Sequence, residues 1–148
     1  MAILQSRRRF FWLAGIVLIV LGIVVTEVRY LDTVTTKVGS LSVVTDAYAS
    51  GAGQAISEQA ADADAIKSIA TLRPDVTNAS VAASRLFSGV RQVNDSHGQT
   101  IYSNTSGIAA WVVEISAPGQ AGFARVTGAV ILGASDGSTM AASVLMTN

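Results

Sequence analysis

The spacing of apolar positions changes along this chain. From Phe10 to Thr26, seventeen residues pass without a charge: FFWLAGIVLIVLGIVVT. A bilayer-spanning helix needs about 20 predominantly apolar residues, with about 17 as the lower bound. The run therefore predicts a transmembrane helix over residues 10–28, extended at its ends by Arg9 and Arg29. Beyond it, Leu31, Val34, Val38, Leu41, Thr45 and Tyr48 recur at steps of three and four. Extended backward, that phase meets Val24, Val20, Val17 and Leu13. The spacing predicts one helix continuing to about Tyr48, a rod of about 50–60 Å at 1.5 Å per residue. Leu31, Val34, Val38 and Leu41 are its expected packing stripe, and Gly22 and Thr26 a small-residue pair for close helix contact in lipid.

Ser50-Gly51-Ala52-Gly53 interrupts this pattern. A second helix is expected from Ala55 to Leu72, with its acids early and Lys67 late, in accord with the helix dipole. A shorter helix is expected from Ser80 to Val90, although RLFSGVRQV also suits a strand. The period then falls to two. Gln99–Ser103, Ile108–Ser116, Phe123–Leu132 and Met140–Met146 read as strands, separated by turns rich in Gly, Asn, Asp and Ser. Helices first and an antiparallel meander after them predict an α+β fold: a transmembrane helix running into a long helix, one or two short helices, then about four strands.

Charge sets the expected orientation. Arg7, Arg8 and Arg9 precede the apolar run without an acid, whereas the chain from Leu31 onward holds nine acids and six bases. The positive-inside rule places residues 1–9 in the cytoplasm, the span in the cytoplasmic membrane, and residues 29–148 in the periplasm or outside the cell. Trp12 and Tyr30 stand near the two ends of the run as interfacial aromatics do, completing an anchor set with the three arginines. Ser6-Arg7-Arg8-Arg9-Phe10-Phe11 also resembles the core of a twin-arginine signal. No small-x-small cleavage site follows closely, so the segment reads as a retained anchor. Only 14% of residues are charged, against about 25% in an average soluble protein. Without clustered Lys and Arg in the body of the chain, no nucleic-acid partner is expected. The expected partners are the bilayer and other membrane or filament subunits, including copies of this chain.

Candidate chemistry is sparse. The chain has no cysteine, which removes disulfides and thiolate ligands. His97 is the single histidine and lies in the turn-forming NDSHG. Glu58 and Asp62 share a helical face while Asp64 points elsewhere, the pattern of a solvated surface. Asp136-Gly137 is a hairpin signal. Gly51-Ala52-Gly53 lacks the preceding strand of a dinucleotide fingerprint. Glu114 alternates with Val113 and Ile115 on a strand and is expected to face solvent or a partner. The sequence thus implies no catalytic, cofactor-binding or metal site.

The order of elements resembles the type IV pilin family, in which a long N-terminal helix, apolar in its first half, packs on an antiparallel sheet. TDAYASGAGQAISEQAADADA, Thr45 to Ala65, is similar to the small-residue surfaces of those proteins. The processing glycine and nearby glutamate of pilin precursors have no counterpart, since Arg9 precedes the run and Glu27 stands at its far end. The resemblance implies an unprocessed accessory protein of a pilus or secretion machine. The expected function is a membrane-anchored, non-enzymatic structural or assembly protein. The alternatives are an auxiliary subunit of a larger membrane enzyme or transporter, and a ligand-binding sensor domain with an apolar pocket near Trp111.

Overall fold

The computed structural model describes residues 32–119 and 122–147. Its compact unit begins at Val34. Six strands form one sheet in the order of the sequence: β1 (Thr33–Val38), β2 (Leu41–Asp46), β3 (Ser80–Asn94), β4 (Thr100–Pro118), β5 (Arg125–Gly133) and β6 (Thr139–Thr147). The ladders from β2 through β6 are antiparallel. One helix among the described residues, α1 (Glu58–Leu72), crosses from β2 to β3.

The expected α+β arrangement is therefore corrected. Residues 33–46 are not the continuation of a helix but a hairpin, so Val34, Val38 and Leu41 lie on strands. Thr33, Val34, Thr35, Thr36, Val38, Val43, Val44 and Thr45 are β-branched, which lowers helix preference and suits a pleated surface. Gly39 turns the hairpin with φ at +56°, a left-handed conformation that favours glycine. Residues 80–90 likewise join β3 rather than a helix. The two segments expected as separate strands, 99–103 and 108–116, merge from Thr100 onward into one long β4. It leaves the ladder at Asn104–Gly107, between the pairs Gln92–Ser103 and Val90–Ile108.

The expected anchor residues Arg7, Arg8, Arg9, Trp12 and Tyr30, the span 10–28, and the packing residues Gly22, Thr26 and Leu31 lie outside the described residues. Among the described residues, no helix is long and apolar enough to cross a membrane. That finding stands against the expected cytoplasmic-membrane location.

Helix α1 starts where Ser57, in extended conformation, accepts a hydrogen bond from the Ala60 N–H at 3.2 Å. It ends before Pro74, as the Arg73 N–H closes on the Ile69 carbonyl. Ala61, Ala65 and Ile69, spaced by four, are its buried stripe. The two alanines let the helix approach the sheet closely. There it meets Trp111, Val113, Ile115, Val130 and Leu132, which with Val126 and Ala117 form one core.

The other face of the sheet is covered by the sheet itself. β3 and β4 are long enough to belong to two layers. Residues Ala110 to Pro118 of β4 pair with β5, which in turn holds β6, whereas Val90 to Asn94 of β3 hold β2 through pairs such as Val43–Val93. Register shifts at Phe87–Val90 and at Val90–Gln92 bend the ladder between the halves. The bend brings Val38, Leu41, Val43, Val90 and Val93 against Ala110, Val112, Ala129 and Ile131 in a second core. Gly107 sits at this bend beneath Asp46, where a Cβ would collide with the carboxylate. Asp46 is ion-paired there with Arg91.

Candidate interaction surface

Strand β6 ends the sheet: β5 is its neighbour on one side, and no described element pairs with the other. Its sequence is TMAASVLMT, without a charge or a proline. Exposed edges are commonly guarded by lysine, proline or short length, because unpaired N–H and C=O groups template pairing with another chain. β1, the opposite edge, has six residues and carries Lys37. β6 has nine and carries no such guard.

A bulge shapes this edge. Leu132 pairs with Thr139 but Ile131 with Ala141, so Met140 is the extra residue. Bulges re-aim side chains, and Met140 is 43% exposed. From Ala141 to Thr147 the register is regular, against Ile131 to Arg125. Ala142, Val144 and Met146 pack toward the helix-side core and Ala141 toward the other.

Beside β6, on the helix side, lies an open groove of about 680 Å³ lined by Asp64, Lys67, Ser68, Leu72, Asp136 and Thr139, among others. The hydroxyls of Ser68 and Thr139 are 2.7 Å apart and tie α1 to the start of β6. Leu72 is 49% exposed at the helix end of the groove. Asp136 shapes the β5–β6 turn by accepting from the Ser138 N–H at 3.0 Å and the Ser138 hydroxyl at 2.8 Å. These two hydrogen bonds, the backbone one first, hold its carboxyl below the usual carboxylate range.

The residues weighed as chemistry from the sequence do not converge. His97 is exposed in the β3–β4 turn, where the Asp95 carboxylate accepts from the His97 and Gln99 N–H groups at 2.9 and 2.8 Å. Glu58 accepts from Ser84 at 2.9 Å. Among the described residues, no cluster of three or more His, Cys, Asp or Glu side chains has the geometry of a metal site. Trp111 belongs to the core under α1.

Glu114 departs from the sequence reading. It is buried, 7% exposed, on the face covered by the β1–β2 hairpin. The Ser40 N–H donates to its Oε2 at 3.1 Å and the Ser40 hydroxyl donates to Oε1. A Cβ at Gly39 would collide with the same carboxyl group. A cavity of about 20 Å³, room for about one water, lies beside Glu114 and reaches Asp95, Ser96, Thr127, Ser143 and Leu145. A buried carboxyl group is costly unless hydrogen-bonded, and here two donors from one turn meet it. The arrangement pins the hairpin turn to the sheet across 74 residues of sequence. Its dimensions suit a structural clasp rather than a substrate site, whose usual volume is about 300–1,000 Å³.

Sequence reasoning missed both features. Alternation alone puts Glu114 on the opposite face from Val113 and Ile115, but not under a second layer. The absence of charge in 139–147 was readable; that this strand stands at an edge was not. No protein-family model, no curated protein and no solved structure matches the chain.

Proposed function

We propose that this chain is a non-catalytic structural or assembly protein whose sheet domain binds by strand addition at β6. The observation that carries the reading is the nine-residue, charge-free edge of β6. Strand addition satisfies the edge's main-chain groups and uses side chains on both faces for selection. Exposed Met140 and Leu72 flank the edge and supply apolar contact. The reading includes the pilus-like or envelope assembly implied by the sequence resemblance, but rests on the edge and not on the resemblance.

The test is a photo-crosslinking residue at Met140 in the full chain, expressed in its own cells. Covalent adducts of discrete mass at position 140, absent at Lys37 on the other edge, are the expected result. No adduct at position 140 overturns the reading.

A further inference from the structure

We infer that the strand added to β6 comes from another protein and carries a lysine or arginine that meets Asp64 and Asp136, with an apolar residue four positions from it on the same face. The inference rests on the strand-addition reading and names the chemistry of its partner.

The groove beside β6 supplies the constraint. Helix α1 runs alongside this strand in the same direction. The Asp64 carboxylate reaches Gly137, where a Cβ would stand 2.6 Å from its Oδ2. Ser68 meets Thr139, and the Arg73 guanidinium comes within 3.6 Å of the Met146 sulfur. A strand paired to the open edge of β6 lies about 4.8 Å beyond it. Its helix-side side chains then enter the groove along Asp64, Lys67, Ser68 and Thr71 of α1.

Charge is uneven along that groove. Asp64 and Asp136 stand at its Gly137 end, and among the described residues neither is ion-paired. Both hydrogen bonds that Asp136 accepts from Ser138 use Oδ1. Two like charges at one end favour a base on the incoming strand. Lys67, one helical turn on, disfavours a second base beside the first. Leu72, half-exposed at the far end, lies eight residues after Asp64, about 12 Å at 1.5 Å per residue. Four strand residues cover about 13 Å, which sets the spacing of base and apolar residue. Neither open edge of this chain fits. β6 has no base. In β1, the residues on the same face as Lys37 are Thr35 and Thr33, so nothing apolar meets Leu72. The pattern therefore selects a strand of a different protein.

The probes are pools of nine-residue peptides with mixed Thr and Val on one face and mixed Thr and Ser on the other. The second face carries Leu at one position and Lys, Glu or Thr four positions away, in both orders. Each pool is offered to the full chain, kept soluble in a mild detergent, with a photo-crosslinking residue at Met140. Folding of each variant is checked by circular dichroism. Capture of the Lys pool should exceed that of the Glu pool at least about tenfold, and that of the Thr pool about threefold. A Lys pool without the Leu should be captured about threefold less. Asp64→Asn with Asp136→Asn should bring the Lys pool down to the Thr level, and Asp64→Lys with Asp136→Lys should reverse the preference toward Glu. Equal capture of the Lys and Glu pools, a Lys preference that survives both changes to Asn, or no loss without the Leu overturns the inference. A Met140 adduct of twice the chain mass in cells also overturns it, in favour of a second copy. In these outcomes strand addition stands if N-methylation of alternate peptide amides abolishes capture or if cells give the Met140 adduct. No capture of any pool overturns the inference, and strand addition falls with it when cells also give no Met140 adduct.

Discussion

The two faces of this sheet are buried by different means. On one face, α1 is a separate element docked through Ala61, Ala65 and Ile69. On the other, the cover is the sheet's own continuation, bent back through β3 and β4 and closed by the Ser40–Glu114 contact. The helix cover is joined to the sheet by side-chain packing, with few main-chain ties such as the Ile56 N–H to the Ala134 carbonyl at 2.8 Å. The bent cover is continuous with the ladder and hydrogen-bonded along it. A dry contact between elements fails when its apolar volume is lost. A folded-over sheet instead loosens first at the turn that clasps it. The difference teaches where this domain tolerates change: in the polar rim of α1, and not at Glu114 or Gly39.

The largest effect is expected on the helix face. Ile69 is 1% exposed in the core between α1 and the sheet. Ile69→Ala should lower unfolding stability by about 2–5 kcal/mol, measured by denaturant titration. Hydrogen exchange should rise first in α1, and uniform acceleration across β2 as well would erase the distinction between the faces.

Glu114→Ala comes next, at about 1–3 kcal/mol, because it strands the Ser40 donors and opens space beneath the turn. Its exchange signature should concentrate at Val38–Leu41, leaving α1 protected. Gly39→Ala sharpens the point. It forces a side chain into a left-handed position, at about 1–2 kcal/mol, and also into the Glu114 carboxyl group. In the Glu114→Ala background that second cost disappears, so a double-mutant cycle should show coupling of at least about 0.5 kcal/mol. Strict additivity would remove the clasp from the account of this face.

Ser57→Ala should cost about 1 kcal/mol by freeing the Ala60 N–H at the start of α1. Its exchange changes should match those of Ile69→Ala in location and fall short in size. The smallest effect concerns pH. The Asp136 carboxyl is held below its ordinary value by Ser138. Its contribution is thus fully present above the unfolded carboxylate pKa and lost as pH falls through the lower, folded one. Unfolding curves of the parent chain and Asp136→Asn should differ slightly at neutral pH and converge in acid. A gap that widens in acid would contradict the turn geometry.

Legibility from the sequence varied with how many explanations a pattern admitted. Ala55–Leu72 contains the observed helix, because its alanines, early acids and the following Arg73-Pro74 all point the same way. The period-two segments after Ile108 became strands, each bounded by glycine or proline turns. The stripe at 34, 38, 41 and 45 misled because a hairpin with a two-residue turn also places apolar residues three and four apart. Val38 and Leu41 flank Gly39-Ser40 and are both buried against the second layer. Propensity opposes a helix there, through the β-branched residues, and prevails over the spacing.

By itself the sequence determined what is local: that α1 forms and that it ends at Leu72, which late segments alternate, and which chemistries the missing cysteines exclude. Only the tertiary structure decided what depends on layers. It turned Glu114 from an outward residue into a buried one, because the bend shared by β3 and β4 folds a second layer over it. It made β6 an edge and β4 an interior strand, although both alternate. It also placed a bulge at Met140, which is a property of pairing with β5. Alternation reports that a strand has two faces; only its neighbours determine what covers each face and which edge is left open.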